Sequence, residues 1–336
     1  MKNFLIRFLF SLLVFNLLYD FIDPVNYDSY FSKDYFVYQD IAKINFENIQ
    51  ISFWKYASET TGAYPGYFLF QYFIKLFLPT NANSLYFISL FIFLSTSIGV
   101  FFPLRVNNIT FIFICISLYP IILTFSALKL GVSISFYILY QRLKYINPLS
   151  SKISLLLSII SHPQTLILIL SRYILEERIN IFAQIFFFVK NLYIIRKKDL
   201  QNIFLISFFL IFLFYLFNQE IIFSFFEIIA KKIYGYAIYT LNFDTFIKGI
   251  ISFFIFFWIA FKISGSRSVG ATFSSFLFLI ITAFGTHRII IMIWYLFLIP
   301  FNANEYDIQN RNLFKFLRGI LIFWGIYRTF GSLALS

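Results

Sequence analysis

The chain is 336 residues long, 60% hydrophobic and only 12% charged, with a mean hydropathy of +0.81 and a net charge of +12. This composition excludes a soluble globular domain, and the single cysteine, Cys115, excludes a disulfide framework and a cysteine-based metal site. The basic surplus lies mostly in short loops between apolar runs, which is the positive-inside signature of a membrane protein rather than a nucleic-acid surface.

Apolar runs of about 17–22 residues match the thickness of a bilayer's hydrocarbon core. They fall at 4–22, 65–79, 84–104, 109–125, 127–143, 153–171, 179–195, 200–218, 246–263, 270–285, 288–302 and 313–330. The expected fold is therefore all-α: one polytopic membrane bundle over residues 1–336, with about ten to twelve transmembrane helices and one re-entrant segment. The first run lacks a small-x-small cleavage site and ends in Tyr19-Asp-Phe-Ile-Asp-Pro24, so it reads as a retained helix rather than a secretory signal. Two long polar segments, 23–64 and 219–245, are expected on the outer side. The clusters Arg142/Lys144/Lys152, Arg196/Lys197/Lys198, Lys262/Arg267 and Arg311/Lys315/Arg318 mark the inner one. That assignment leaves one span too many after the first loop. The short run 65–79, which begins at Pro65-Gly66, carries Lys75 and ends at Pro79, is the expected re-entrant segment; a re-entrant 127–135 resolves the count equally well.

Along the chain, the first loop offers the carboxylate of Asp34 and the ring of Tyr38 in Lys33-Asp-Tyr-Phe-Val-Tyr38. Lys129 follows, embedded in Phe125-Ser-Ala-Leu-Lys-Leu-Gly131, where Gly131 is expected to loosen the backbone just after it. It reads either as an anion-binding cation or as a side chain snorkelling to the headgroups. His162 is the only ionisable residue in Ile153–Leu170. A titratable group at that depth costs about 2.5–3.5 kcal/mol on insertion scales, which makes it a functional candidate. Pro163 breaks the helix beside it, and an imidazole titrating near neutrality is expected to accept a proton; a ring satisfied by a neighbouring carbonyl is the rival reading. Arg172 and Arg178 fall at the outer end of the same helix, where Glu176 and Glu177 are possible partners. The second loop combines Lys231, Lys232 and the spaced rings of Tyr234, Tyr236 and Tyr239, suited to phosphates and sugar faces or to an ordinary interface. Arg288 opens a very apolar helix after Gly285-Thr-His, and its planar fork suits a phosphate, with an interfacial anchor as the alternative. No Walker, zinc, Rossmann or nucleophile-elbow pattern is present in the sequence.

The order of these pieces resembles the EpsG-like branch of polysaccharide polymerases, relatives in function of the Wzy O-antigen polymerases. The pieces are an Asp/Tyr-containing loop, Tyr64-Pro-Gly-Tyr-Phe68, Ser126-Ala-Leu-Lys129-Leu-Gly131, Ser161-His162-Pro-Gln-Thr165 and Phe284-Gly-Thr-His-Arg288. The similarity runs from about residue 27 to 300 through short, degenerate motifs. Lys129 stands where that family usually has Arg, and Tyr64 where it usually has Glu, which leaves the acidic catalyst open. The resemblance implies glycosyl transfer at the outer face of a bacterial inner membrane. A growing glycan leaves undecaprenyl pyrophosphate and joins a hydroxyl of the next lipid-linked repeat unit. It implies Lys129 and Arg288, with Arg172 behind them, as the cations for the pyrophosphate, and His162 as the base. Undecaprenyl-pyrophosphate-linked oligosaccharides, membrane lipids, a chain-length regulator and a flippase are the expected partners, with no nucleic acid, no cofactor and no metal. The competing classes are a lipid-linked oligosaccharide flippase, a glycan-modifying membrane acyltransferase and a channel whose pore Lys129 and His162 would line.

Overall fold

The computed structural model describes residues 2–22, 65–78, 83–99, 108–144, 146–176, 243–284, 286–299 and 308–333. Their regular structure is entirely helical. By length and composition, Phe4–Ile22 and Phe246–Ser264 are each able to cross a membrane. Ile109–Phe125 and Leu128–Leu143, bent by 116° at their junction, form a third if taken as one broken span. The expected runs 179–195 and 200–218 lie outside the described residues. The chain gathers into two compact units, one of Met1–Ile169 with Ile291–Ser336 and the other of Leu170–Ile290.

In the first unit, α1 (Lys2–Ile22) turns Val14, Phe15 and Ile22 into a cluster with Phe93, Ile98, Phe111, Cys115 and Phe125. Its other face exposes Leu5, Leu9, Leu13, Leu17 and Phe21, an arrangement that suits lipid contact. α2 (Pro65–Phe77) has 13 residues. At 1.5 Å per residue it is about 20 Å long, short of the ~30 Å hydrocarbon core. α3 (Ser84–Leu94) is capped by Asn83, whose Oδ1 accepts the Leu85 N–H at 3.0 Å, and runs on into a π-helical turn at Ser95–Gly99. Arg142 reaches that turn's end, its Nε donating to the Gly99 carbonyl at 2.8 Å.

The run expected at 109–125 is two helices, α4 (Asn108–Cys115) and α5 (Leu118–Phe125). Pro120 is the cause. A proline has no N–H for the carbonyl four residues back and its ring clashes with it, so a continuous helix is broken at Ile116. Ser117 is accordingly extended, at φ −75°, ψ 151°. The freed Ile116 carbonyl accepts the Thr329 hydroxyl of α12 (Ile308–Leu333) at 3.1 Å.

α6 (Leu128–Leu143) follows the bend. The sequence reading expected Gly131 to loosen the backbone; instead it stays helical. A Cβ there would lie 2.5 Å from the Leu123 carbonyl oxygen and 2.8 Å from Ile92 Cγ2, so glycine is what lets α6 close on α3 and α5. The later part of α11 (Thr286–Leu298) belongs to this unit too: Trp294 Nε1 donates to the Leu321 carbonyl of α12, and Arg318 Nε to the Phe297 carbonyl, both at 3.0 Å.

The second unit contains a hairpin of α9 (Phe243–Ser264) and α10 (Arg267–Phe284), turned at Gly265 with φ +68°, a conformation that favours glycine. The outer loop expected to reach residue 245 thus ends by Phe243.

Candidate functional site

The site is built on a helical hairpin, α6 and α7 (Pro148–Ser161), which pack along their lengths. The turn between them is short because Asn147 caps α7, its Oδ1 accepting the Ser150 N–H at 3.1 Å, with Pro148 pre-set for the first helical position. The two faces of α7 are inverted relative to a water-soluble helix. Ser151, Ser154, Ser158 and Ser161 are buried, whereas Leu149, Ile153 and Leu156 are exposed. In lipid, large apolar side chains gain nothing by leaving the bilayer, and small polar ones let helices approach closely and bond across the contact.

α7 ends where Pro163 forces it to. The residue before a proline is driven out of the helical region, and His162 is extended at φ −162°, ψ 114°. Three short turns restart the helix: Thr165 N–H to the His162 carbonyl at 3.1 Å, Leu166 to Pro163 and Ile167 to Gln164, both at 3.0 Å. α8 (Thr165–Glu176) begins there. Ser133 of α6 clasps this break. Its hydroxyl donates to the Ser158 carbonyl at 2.6 Å, lies 3.3 Å from the His162 carbonyl and touches the Thr165 hydroxyl, which donates back to it. The imidazole is fixed as well, because the Gln164 N–H donates to His162 Nδ1 at 3.3 Å.

Two more elements close on the same end of the hairpin. α2 brings Gly66 so near to α7 that a Cβ on it would lie 2.5 Å from Ser161 Oγ and 2.6 Å from the Ser161 nitrogen. α6 brings Lys129, the second residue of that helix, which lies four residues before Ser133 on the same face. Along the axis this is about 6 Å from the clasp. Lys129 and His162 are each only 8% exposed, so the lysine is packed inside the protein rather than laid along an outward face. Near His162 the hydroxyls of Ser158 and Ser161 and the amide oxygen of Gln164 are buried without a hydrogen-bond partner among the described residues, as are both amide atoms of Gln71 on α2.

The structure thus draws together two of the residues singled out in the sequence, Lys129 and His162. Arg172, 2% exposed, lies in the second unit and donates through Nε to Glu176 Oε1 at 2.5 Å, the pairing that the sequence allowed. Arg288 is the third residue of α11, with its side chain outside the described residues. Asp34, Tyr38, Lys232 and Tyr236 lie outside them altogether. The sequence reading missed Ser133, Ser158 and Gln71. The signal for the serines was present, as 151, 154, 158 and 161 repeat at three- and four-residue intervals, the spacing of one helix face.

The described residues are helical, include helices able to cross a membrane and hold a buried polar site at a helix break. No protein-family model matches the chain, and neither a curated protein nor a solved structure is significantly similar to it.

Proposed function

We propose that the chain is a polytopic bacterial inner-membrane glycosyltransferase, a polysaccharide polymerase that joins undecaprenyl-pyrophosphate-linked repeat units. The observation that carries this reading is the shared position of a buried lysine and a buried histidine at one end of the α6–α7 hairpin. Lys129 sits in the first turn of α6, where the helix dipole already presents positive charge. An anion held beside it gains from both the dipole and the ammonium group. Glycosyl transfer from a lipid pyrophosphate needs such a place, since negative charge develops on the leaving phosphate oxygen as the sugar's C1–O bond breaks. Arg288, in the first turn of α11, is the second cation we assign to the pyrophosphate, and His162 the titratable ring at the reacting centre. Arg172, which pairs with Glu176, is assigned to the same ligand on the resemblance alone. Of the loop residues, Asp34 is assigned a catalytic role, and Tyr38, Lys232 and Tyr236 are assigned to binding the pyrophosphate-linked substrate.

The test is extension of a lipid-linked repeat unit by the full chain in nanodiscs, read as glycan length on a gel. Lys129→Ala should lower extension by about a hundredfold, the usual cost of one preorganised group at a developing charge. Lys129→Arg should retain part of the activity. Equal loss in both variants removes the anion role, normal polymer from His162→Ala protein removes His162 from the reacting centre, and a wild-type chain that extends no glycan removes the polymerase reading.

The flippase reading keeps one observation in its favour. The 116° bend before Lys129 and the interruption at His162 are broken helices of the kind found at transporter binding sites. Movement of the lipid-linked unit across a vesicle membrane, with no change in glycan length, would select it.

A further inference from the structure

His162 is held by the chain that follows it. The Gln164 N–H donates to its Nδ1 at 3.3 Å, across Pro163. A side-chain acceptor at one residue meeting the N–H two residues on is the geometry of an Asx turn, here with an imidazole in place of Asn or Asp. In a neutral imidazole one nitrogen carries the proton and the other accepts. With Nδ1 accepting, the proton is on Nε2.

From this contact we infer that His162 acts through its Nε2–H as a hydrogen-bond donor to the pyrophosphate leaving group, and not as the base for the acceptor hydroxyl. The ligand in this statement rests on the polymerase reading, whereas the tautomer belongs to the fold alone. A base at Nε2 requires the opposite tautomer, which sets an N–H on Nδ1 against the N–H of Gln164. A base at Nδ1 requires the turn to open, and that turn is anchored on both sides: Ser133 holds the Ser158 carbonyl at 2.6 Å and touches Thr165, while Thr165 N–H bonds the His162 carbonyl at 3.1 Å.

The chemistry balances without a basic imidazole. The bond from the sugar C1 to the pyrophosphate oxygen breaks, with its electron pair left on that oxygen. The acceptor oxygen bonds to C1, and its proton passes to a non-bridging oxygen of the departing pyrophosphate. Nε2 keeps its proton throughout, and its hydrogen bond strengthens as charge develops on the leaving group.

Two measurements test the inference on the full chain in lipid nanodiscs. The first is 15N NMR of histidine-labelled protein, in which only His162 and His287 contribute. The His162 signals are those lost in His162→Asn, or, should that variant not fold, those left in His287→Gln. Nitrogen shifts of the Nε2–H tautomer are expected; the Nδ1–H tautomer, or a doubly protonated ring at neutral pH, overturns the inference whatever the activity. The second is His162→Asn itself. Its side-chain oxygen still accepts the Gln164 N–H, so the turn persists while Nε2–H is lost. The variant should unfold at the wild-type temperature and extend glycans about a hundredfold more slowly. Extension within about twofold of wild type shows that only the turn matters and overturns the donor role. A wild-type chain that shows the Nε2–H tautomer but extends no glycan separates the two failures: it removes the polymerase reading, and with it the ligand named for Nε2–H.

Discussion

Ser133 shows how much a single hydroxyl fixes at this site. It bonds the last turn of α7 through Ser158, lies beside the His162 carbonyl and receives the Thr165 hydroxyl at the start of α8. Ser133→Ala removes all three contacts at once and leaves the Thr165 hydroxyl buried. A loss of about 1–3 kcal/mol in stability is expected from thermal unfolding in detergent, the cost of leaving a buried polar partner unsatisfied. Glycines are as position-dependent. Gly131→Ala drives a methyl group into the Leu123 carbonyl and Ile92 and should cost about 1–3 kcal/mol. Gly319→Ala on α12, where a new Cβ meets nothing within 4 Å, should change stability by less than about 1 kcal/mol in the same measurement. Lys129 and His162 were legible in the sequence because an ionisable group in an apolar run is costly and rare. Ser133 was not, since a serine in such a run is ordinary until the neighbouring helix is known.

Among the elements, α7 gives the clearest case of pattern and environment disagreeing. Read as a water-soluble helix, its Leu149, Ile153 and Leu156 would be the core face; instead the serines are buried and the leucines outward. Replacing Ser154 with Leu should separate α6 from α7 and destabilise the unit by about 1–3 kcal/mol, whereas Leu156→Ala on the outward face should be nearly silent. Thermal melts of the two variants in one detergent decide between the orientations, because a conventional amphipathic helix predicts the reverse. The breaks in the spans were legible to different degrees. Pro163 announced the interruption at His162, and the helix does stop at Ser161. Pro120 carried the same signal for Ile116, yet apolar residues on both sides hid it. The role of Gly131 could not be read at all, because a glycine that loosens a helix and one that admits a neighbour look alike along the chain.

For the whole molecule, the strongest expectation concerns sidedness. Cys115, the single cysteine, is buried beside Ser11, so Cys115→Ala gives a background free of thiols. In that background, Tyr30→Cys should react with an impermeant maleimide on intact cells, and Lys197→Cys only after the membrane is opened. Labelling of both from one side would remove the topology in which loop 23–64 faces outward. The same experiment at positions 79–82 would report whether α2, about 20 Å long, crosses or returns.

Composition alone pointed to helices long and apolar enough to cross a membrane, since a chain 60% hydrophobic carries more apolar surface than a soluble domain buries. Local chemistry determined where a helix must stop at a proline and singled out Lys129 and His162 as ionisable residues in apolar runs. What required the tertiary structure was the company they keep. The hairpin sets the start of α6 beside the end of α7 and so brings Lys129 near His162, and Ser133 of α6 clasps the break in which His162 sits. Both are matters of which groups meet across the chain, and hydrophobic periodicity carries no record of them.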